Sequence, residues 1–220
     1  MATGFRTLLL AATLSIAATT GTAIAGEEDK GFYIKAGYGG NNIDSVDNCD
    51  HSSTPCTVGT YYLKDSNNSW DIGLGYDWGS FRSEFSYERT NQDLKSYAGT
   101  DNVEYTASKD TDLEIDSYDL GLYYDFDKLD LGKFTPYVGF VYGFTDVNVG
   151  DHNANASDVP GGSSSTNKIE YKLGLDYEIA NNVDIYGEGS YIIINDIRVK
   201  DNDYTDIEGY GAKFGLRYRF

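Results

Sequence analysis

Cysteine, proline, methionine, histidine and positive charge are all scarce in this 220-residue chain. Two cysteines cannot build a disulfide-dense scaffold or a four-thiolate metal centre. Seventeen basic against 35 acidic side chains give a formal net charge of −18. No basic stripe is available to replace phosphate counterions, which excludes a nucleic-acid binder. The two histidines, His51 and His152, lie in polar connections. A nucleophilic site needs a histidine base beside a serine or carboxylates, so no catalytic residue is assigned and no enzyme is expected. Asp44, Asp47 and Asp50 alternate as calcium ligands can, but no terminal Glu or glycine completes such a loop. No metal and no cofactor are therefore assigned. Past the N-terminus no apolar run approaches the roughly 18 residues of a membrane helix. Tyrosine (20) and glycine (25) are the residues in excess. A mean hydropathy of −0.46 has the look of a soluble acidic protein, and the patterning decides whether it is one.

Residues 1–25 read as a secretory signal peptide. Arg6 supplies the positive n-region, Leu8–Ala18 the short apolar core, and Ala23-Ile24-Ala25 the small-x-small cleavage site. Residues 26–220 then form the exported domain. No cysteine stands at the cleavage point for a lipid anchor. Export makes Cys49 and Cys56 an expected disulfide, closing the polar loop CDHSSTPC.

The exported region alternates with period two again and again, as strands with one apolar face do. In Ser69–Trp78, Trp70, Ile72, Leu74, Tyr76 and Trp78 face away from Asp71, Gly73, Gly75 and Asp77. In Phe81–Thr90, Phe81, Phe85 and Tyr87 oppose Arg82, Glu84, Ser86 and Glu88. Tyr118–Phe126, Phe134–Phe144, Lys168–Ile179 and Tyr210–Phe220 repeat the pattern, and Gly31–Asn41 and Val183–Asn195 complete eight strands. Long and short connections alternate: Asn42–Asn68, Gly79-Ser80, Asn91–Asp110, Asp127–Lys133, Asn148–Asn167, Ala180–Asn182 and Asp196–Asp206. All long loops thus gather at one end, as in outer-membrane barrels.

A soluble barrel would turn its apolar face inward, a membrane barrel outward. Ten acids share the polar face: Asp71, Asp77, Glu84, Glu88, Asp119, Asp125, Glu170, Asp176, Asp184 and Glu188. Seven bases accompany them: Lys35, Arg82, Lys168, Lys172, Lys213, Arg217 and Arg219. Such balance suits a narrow ion-paired lumen, because buried ions must be paired. Aromatic residues stand at the strand ends of the apolar face. Trp78, Phe81, Phe126, Phe134, Tyr177, Tyr218 and Phe220 mark the turn end, and Trp70, Phe144 and Tyr210 belong to the loop end. Two girdles around an aliphatic band describe a bilayer-spanning surface. The fold expected is an all-β, eight-stranded antiparallel up-and-down transmembrane barrel. An interior of this size is filled by side chains, here the inward Arg82, Arg217, Arg219 and Tyr123, so no wide aqueous channel is expected.

The whole exported chain resembles the small outer-membrane barrels, the group of OmpA-like transmembrane domains, OmpX and opacity-type surface proteins. Phe134-Thr135-Pro136-Tyr137-Val138-Gly139-Phe140 is similar to a strand common in their surface-antigen branch. The Tyr218-Arg219-Phe220 ending resembles the signal read by the barrel-assembly machinery. The resemblance implies a monomer in outer-membrane lipid of a bacterium, with no nucleic-acid partner. The four long connections hold fourteen acids against five bases, a surface suited to cationic partners on host or neighbouring cells. A structural and surface-interaction role is expected, with a narrow porin-like channel as the alternative.

Overall fold

The computed structural model describes residues 30–43, 45–50, 57–98, 104–106, 112–150, 152–154, 157–159, 162–195, 197–199, 202–204 and 207–220. Eight long strands form the barrel: β1 Lys30–Asn42, β2 Thr57–Trp78, β3 Phe81–Ala98, β4 Asp112–Asp125, β5 Phe134–Val149, β6 Gly162–Ala180, β7 Val183–Asn195 and β8 Ile207–Arg219. Each pairs antiparallel with the next, and β1 pairs with β8 to close the ring. Lys35 faces Arg217 across that seam, and Phe220 donates its N–H to the Phe32 carbonyl at 2.9 Å. Closure leaves no unpaired edge, which the hydrocarbon layer would not tolerate.

Alternation is strict. Along β3, Arg82, Glu84, Ser86, Glu88, Thr90 and Gln92 are buried, whereas Phe81 and Phe85 are exposed. The large exposed side chains are almost all apolar: Ile72, Trp78, Leu120, Leu122, Leu173, Phe214 and Leu216 among them. Between the aromatic girdles the charged groups are inside. This distribution inverts that of a water-soluble protein and fits a barrel in lipid.

The turn end is tight. Gly79 takes a φ of 101°, a left-handed conformation that favours glycine, and its N–H donates to Asp77 Oδ1 at 2.7 Å. Between β4 and β5 a 3-10 turn, Asp127–Leu129, occupies the connection.

The loop end corrects the expected strand limits. β2 starts at Thr57 rather than Ser69, and β3 runs to Ala98 rather than Thr90. Thr60 pairs with Ala98 and Tyr61 with Tyr97, well above the outer girdle. Pairing continues there in polar sequence, where no apolar face marks the alternation. Short strands ride on these extensions. Ser45–Asp50 pairs with β2, Asn202–Tyr204 pairs with Ser45–Asp50, and Ile197–Val199 pairs with Asn202–Tyr204. The first and last long connections therefore form one sheet over the β1–β8 seam.

Candidate functional site

The chemistry-bearing residues of this chain sit in the lumen and at the loop end. In the lumen they form successive layers along the axis. Nearest the turns, Arg82 Nε pairs with Asp125 at 2.6 Å, and Asp176 receives Arg217 at 2.9 Å and Arg82 at 3.5 Å. Arg219 reaches Asp184 at 3.2 Å on the half-exposed rim.

Above this layer stand four inward tyrosines: Tyr33, Tyr123, Tyr137 and Tyr186. The Arg82 guanidinium lies over the rings of Tyr137 and Tyr123 at 4.8 and 5.3 Å, and Arg217 over Tyr33 at 5.2 Å. Such stacking suits a planar cation stripped of water. Glu84 is the hub of the next layer. It accepts from Tyr33 at 3.1 Å and Tyr123 at 3.2 Å, and pairs with Lys35 at 2.9 Å. Lys35 also reaches Asp71 at 3.3 Å. Glu188 accepts from Tyr137 at 3.0 Å and Lys172 at 2.8 Å.

Each inward tyrosine faces a glycine in register on the neighbouring strand: Tyr33 with Gly75, Tyr123 with Gly139, Tyr137 with Gly174 and Tyr186 with Gly215. A Cβ at any of these four glycines would overlap the ring. The glycines thus make room for aromatic side chains laid across the inner wall.

The third charged layer gathers Glu88, Asp119 and Glu170, whose carboxylate oxygens lie within 4.8 Å of one another. The Lys168 ammonium lies among them at 3.0, 2.9 and 3.4 Å. Lys213 adds a 2.7 Å contact to Glu88, which also accepts from Asn41 at 2.6 Å. Lysine here supplies the positive charge that a metal ion would supply in an open carboxylate cluster.

An apolar layer closes the loop end of the lumen. Ile43, Leu113, Ile115, Val147, Ile192, Ile194 and Ile207 are all buried. Gln92 Nε2 spans part of this layer to the Ile43 carbonyl at 3.0 Å. The other end is open. A cavity of about 860 Å³ lies between the turns, lined by Lys30, Asp77, Lys133, Asp184 and Arg217 among others.

Outside, Trp70, Trp78, Phe81, Phe134, Phe144, Tyr177, Tyr210, Tyr218 and Phe220 are exposed toward lipid, and Phe126 is half-exposed. In the loop-side girdle Tyr87 donates to Asp116 at 2.5 Å, and just above it Arg89 pairs with Glu114. Tyr191 donates to Glu208 at 2.5 Å. Cys56, His51, residues 1–25 and the side chains of Cys49 and His152 lie outside what the structure describes, and the expected disulfide and signal peptide with them.

Sequence parity placed Lys35, Asp71, Arg82, Glu84, Glu88, Asp119, Glu188, Lys213, Arg217 and Arg219 on one face; the structure buries the first nine in the lumen and leaves Arg219 at its rim. Tyr123 was read as inward, whereas Tyr33, Tyr137 and Tyr186 of the tyrosine layer and the whole apolar layer were missed. Tyr33 is two residues from Lys35, and Tyr186 lies between Asp184 and Glu188, so parity carried the signal.

An up-and-down ring of eight strands with charge inside and aromatic girdles outside defines a small outer-membrane-type barrel. The chain belongs to the outer membrane protein beta-barrel domain family, whose model matches residues 7–220. That family resides in the bacterial outer membrane. The fold is similar to neisserial surface protein A, at 19% identity over 88% of this chain and 100% of that one, with a TM-score of 0.55. It is similar to the outer membrane protein OprG of Pseudomonas aeruginosa, at 17% identity over 87% and 97%, with a TM-score of 0.58. The outer membrane protease OmpT of Escherichia coli matches at 10% identity over 86% and 97%, with a TM-score of 0.51. These likenesses show the fold. No curated protein matches the chain.

Proposed function

We propose that the protein is a monomeric, non-conducting and non-enzymatic surface barrel that interacts with other molecules through its acidic loop end. The observation that carries this reading is the filled lumen. Three polar layers are cross-linked by ion pairs, and the described residues above them are mainly buried isoleucine, leucine and valine, which give an ion little to replace its hydration shell. Function then falls to the loop end, where the long connections add fourteen acids and five bases. Such a face attracts cationic or basic surfaces and repels anionic ones. The paired short strands over the β1–β8 seam give it a defined platform. Export with cleavage before Gly26 and delivery by the assembly machinery complete the proposal.

Refolded protein in planar bilayers tests the reading: a silent membrane is expected, and reproducible discrete openings overturn it. A narrow channel is the second reading, favoured by the open cavity at the turn end.

A further inference from the structure

The lipid-facing wall carries a notch that the surface role does not use. A groove of about 550 Å³ indents the outer surface of β2–β5. This volume falls within the roughly 300–1,000 Å³ typical of small-molecule sites. Register explains it. Tyr76, Ser83, Leu122 and Phe140 form one outward row across the four strands, and Leu74, Phe85 and Leu120 stand in the row above. Ser83 is the one small side chain in these rows, set between Tyr76 and Leu122. Its shortness makes the floor, and the large neighbours make the walls.

The position selects the occupant. Ser83 lies two residues from Phe81 of the turn-side girdle and four from Tyr87 of the loop-side girdle, roughly 7 and 14 Å along the strand. The floor therefore faces the turn-side leaflet, between the aromatic belts. Water gains nothing in a notch lined by aromatic and leucine side chains, whereas a hydrocarbon chain fits its chemistry and is continuous with the surrounding lipid. We propose that this groove seats one acyl chain of a phospholipid from the turn-side leaflet, making it a specific lipid site rather than ordinary boundary.

The full chain refolded with phosphatidylethanolamine and phosphatidylglycerol, then extracted in mild detergent, can be weighed by native mass spectrometry. Wild type is expected to retain one phospholipid. Ser83→Phe and Ser83→Leu fill the notch and are expected to lose it, while Ala36→Phe, a small lipid-facing position outside the groove, retains it. Heat-modifiable gel migration identifies the folded species, and either folded Ser83 variant suffices. Equal retention in wild type and Ser83 variants overturns the proposal, as does wild type that holds no lipid. A dimer abolished by Ser83→Phe also overturns it, because the notch would then seat a second copy.

Discussion

The Tyr137 ring fills the space over Gly174, its register partner on β6. From there its hydroxyl reaches Glu188 at 3.0 Å, so the absent side chain connects an aromatic layer to an ion pair. Gly174→Val forces the ring away. The expected cost is about 1–3 kcal/mol, as for overpacked cores. Urea unfolding of the refolded barrel in lipid vesicles measures it. Gly187 has open space where a Cβ would stand, so Gly187→Ala is expected to shift stability by no more than about 0.5 kcal/mol. Equal midpoints for the two variants would contradict tyrosine-over-glycine packing.

Glu84 and Arg219 are both charged and both paired, yet their substitutions separate. Glu84 is buried and holds Lys35, Tyr33 and Tyr123 together. Glu84→Ala leaves three buried groups short of a partner and is expected to cost about 3–5 kcal/mol. Arg217→Ala is expected to follow the same direction, because Asp176 keeps only Arg82, at 3.5 Å. Arg219 stands at the rim with its side chain 20% exposed, so Arg219→Ala is expected to cost less than about 1 kcal/mol. Equilibrium unfolding of the three variants in the same vesicles ranks them. A wild-type midpoint for Glu84→Ala would show that the lumen tolerates unpaired charge.

Strand count, closure and facing were legible because lipid on one side and ions on the other enforce period two. Trp70 to Trp78 could be read as one face with no knowledge of the partner strand. Strand ends were not legible: Asn67, Asn68 and Gln92 extend β2 and β3 in polar sequence, where no apolar face marks the alternation. Partners were not legible either, because parity places Glu84 in the lumen but only the ring's register brings Lys35 to it. Tyr137 was hidden by chemistry, since an aromatic in a membrane strand is read as lipid-facing until its glycine partner is known. Ile115, Val147 and Ile194 break the polar rule for the lumen face at the loop end, and no local pattern announces that change.

That apolar layer is itself testable. Ile194 is 1% exposed, which places it in a packed interior rather than on a wet channel wall. Truncating a buried isoleucine to alanine costs about 2–5 kcal/mol when the site stays dry. Ile194→Ala is expected to fall in that range by urea unfolding. A cost near zero would mean that water already fills the loop end, and the argument for a sealed lumen would fail with it.

The choice between lipid and water on the outer face has a depth signature. Leu122 and Tyr210 are nearly equally exposed, at 64% and 68%. On a soluble barrel an arginine at either position would cost little and about the same. In a bilayer, Leu122→Arg lies between the girdles and is expected to cost about 2–4 kcal/mol, whereas Tyr210→Arg at the outer girdle costs about 0–1 kcal/mol. Unfolding in vesicles gives both values, and detergent titration of the same variants shows whether the difference needs the bilayer. Equal costs would mean that depth has no meaning for this surface, and the outward assignment of the apolar face would be wrong. A difference of the stated sign follows only from a hydrocarbon layer centred between the two rings of aromatic residues.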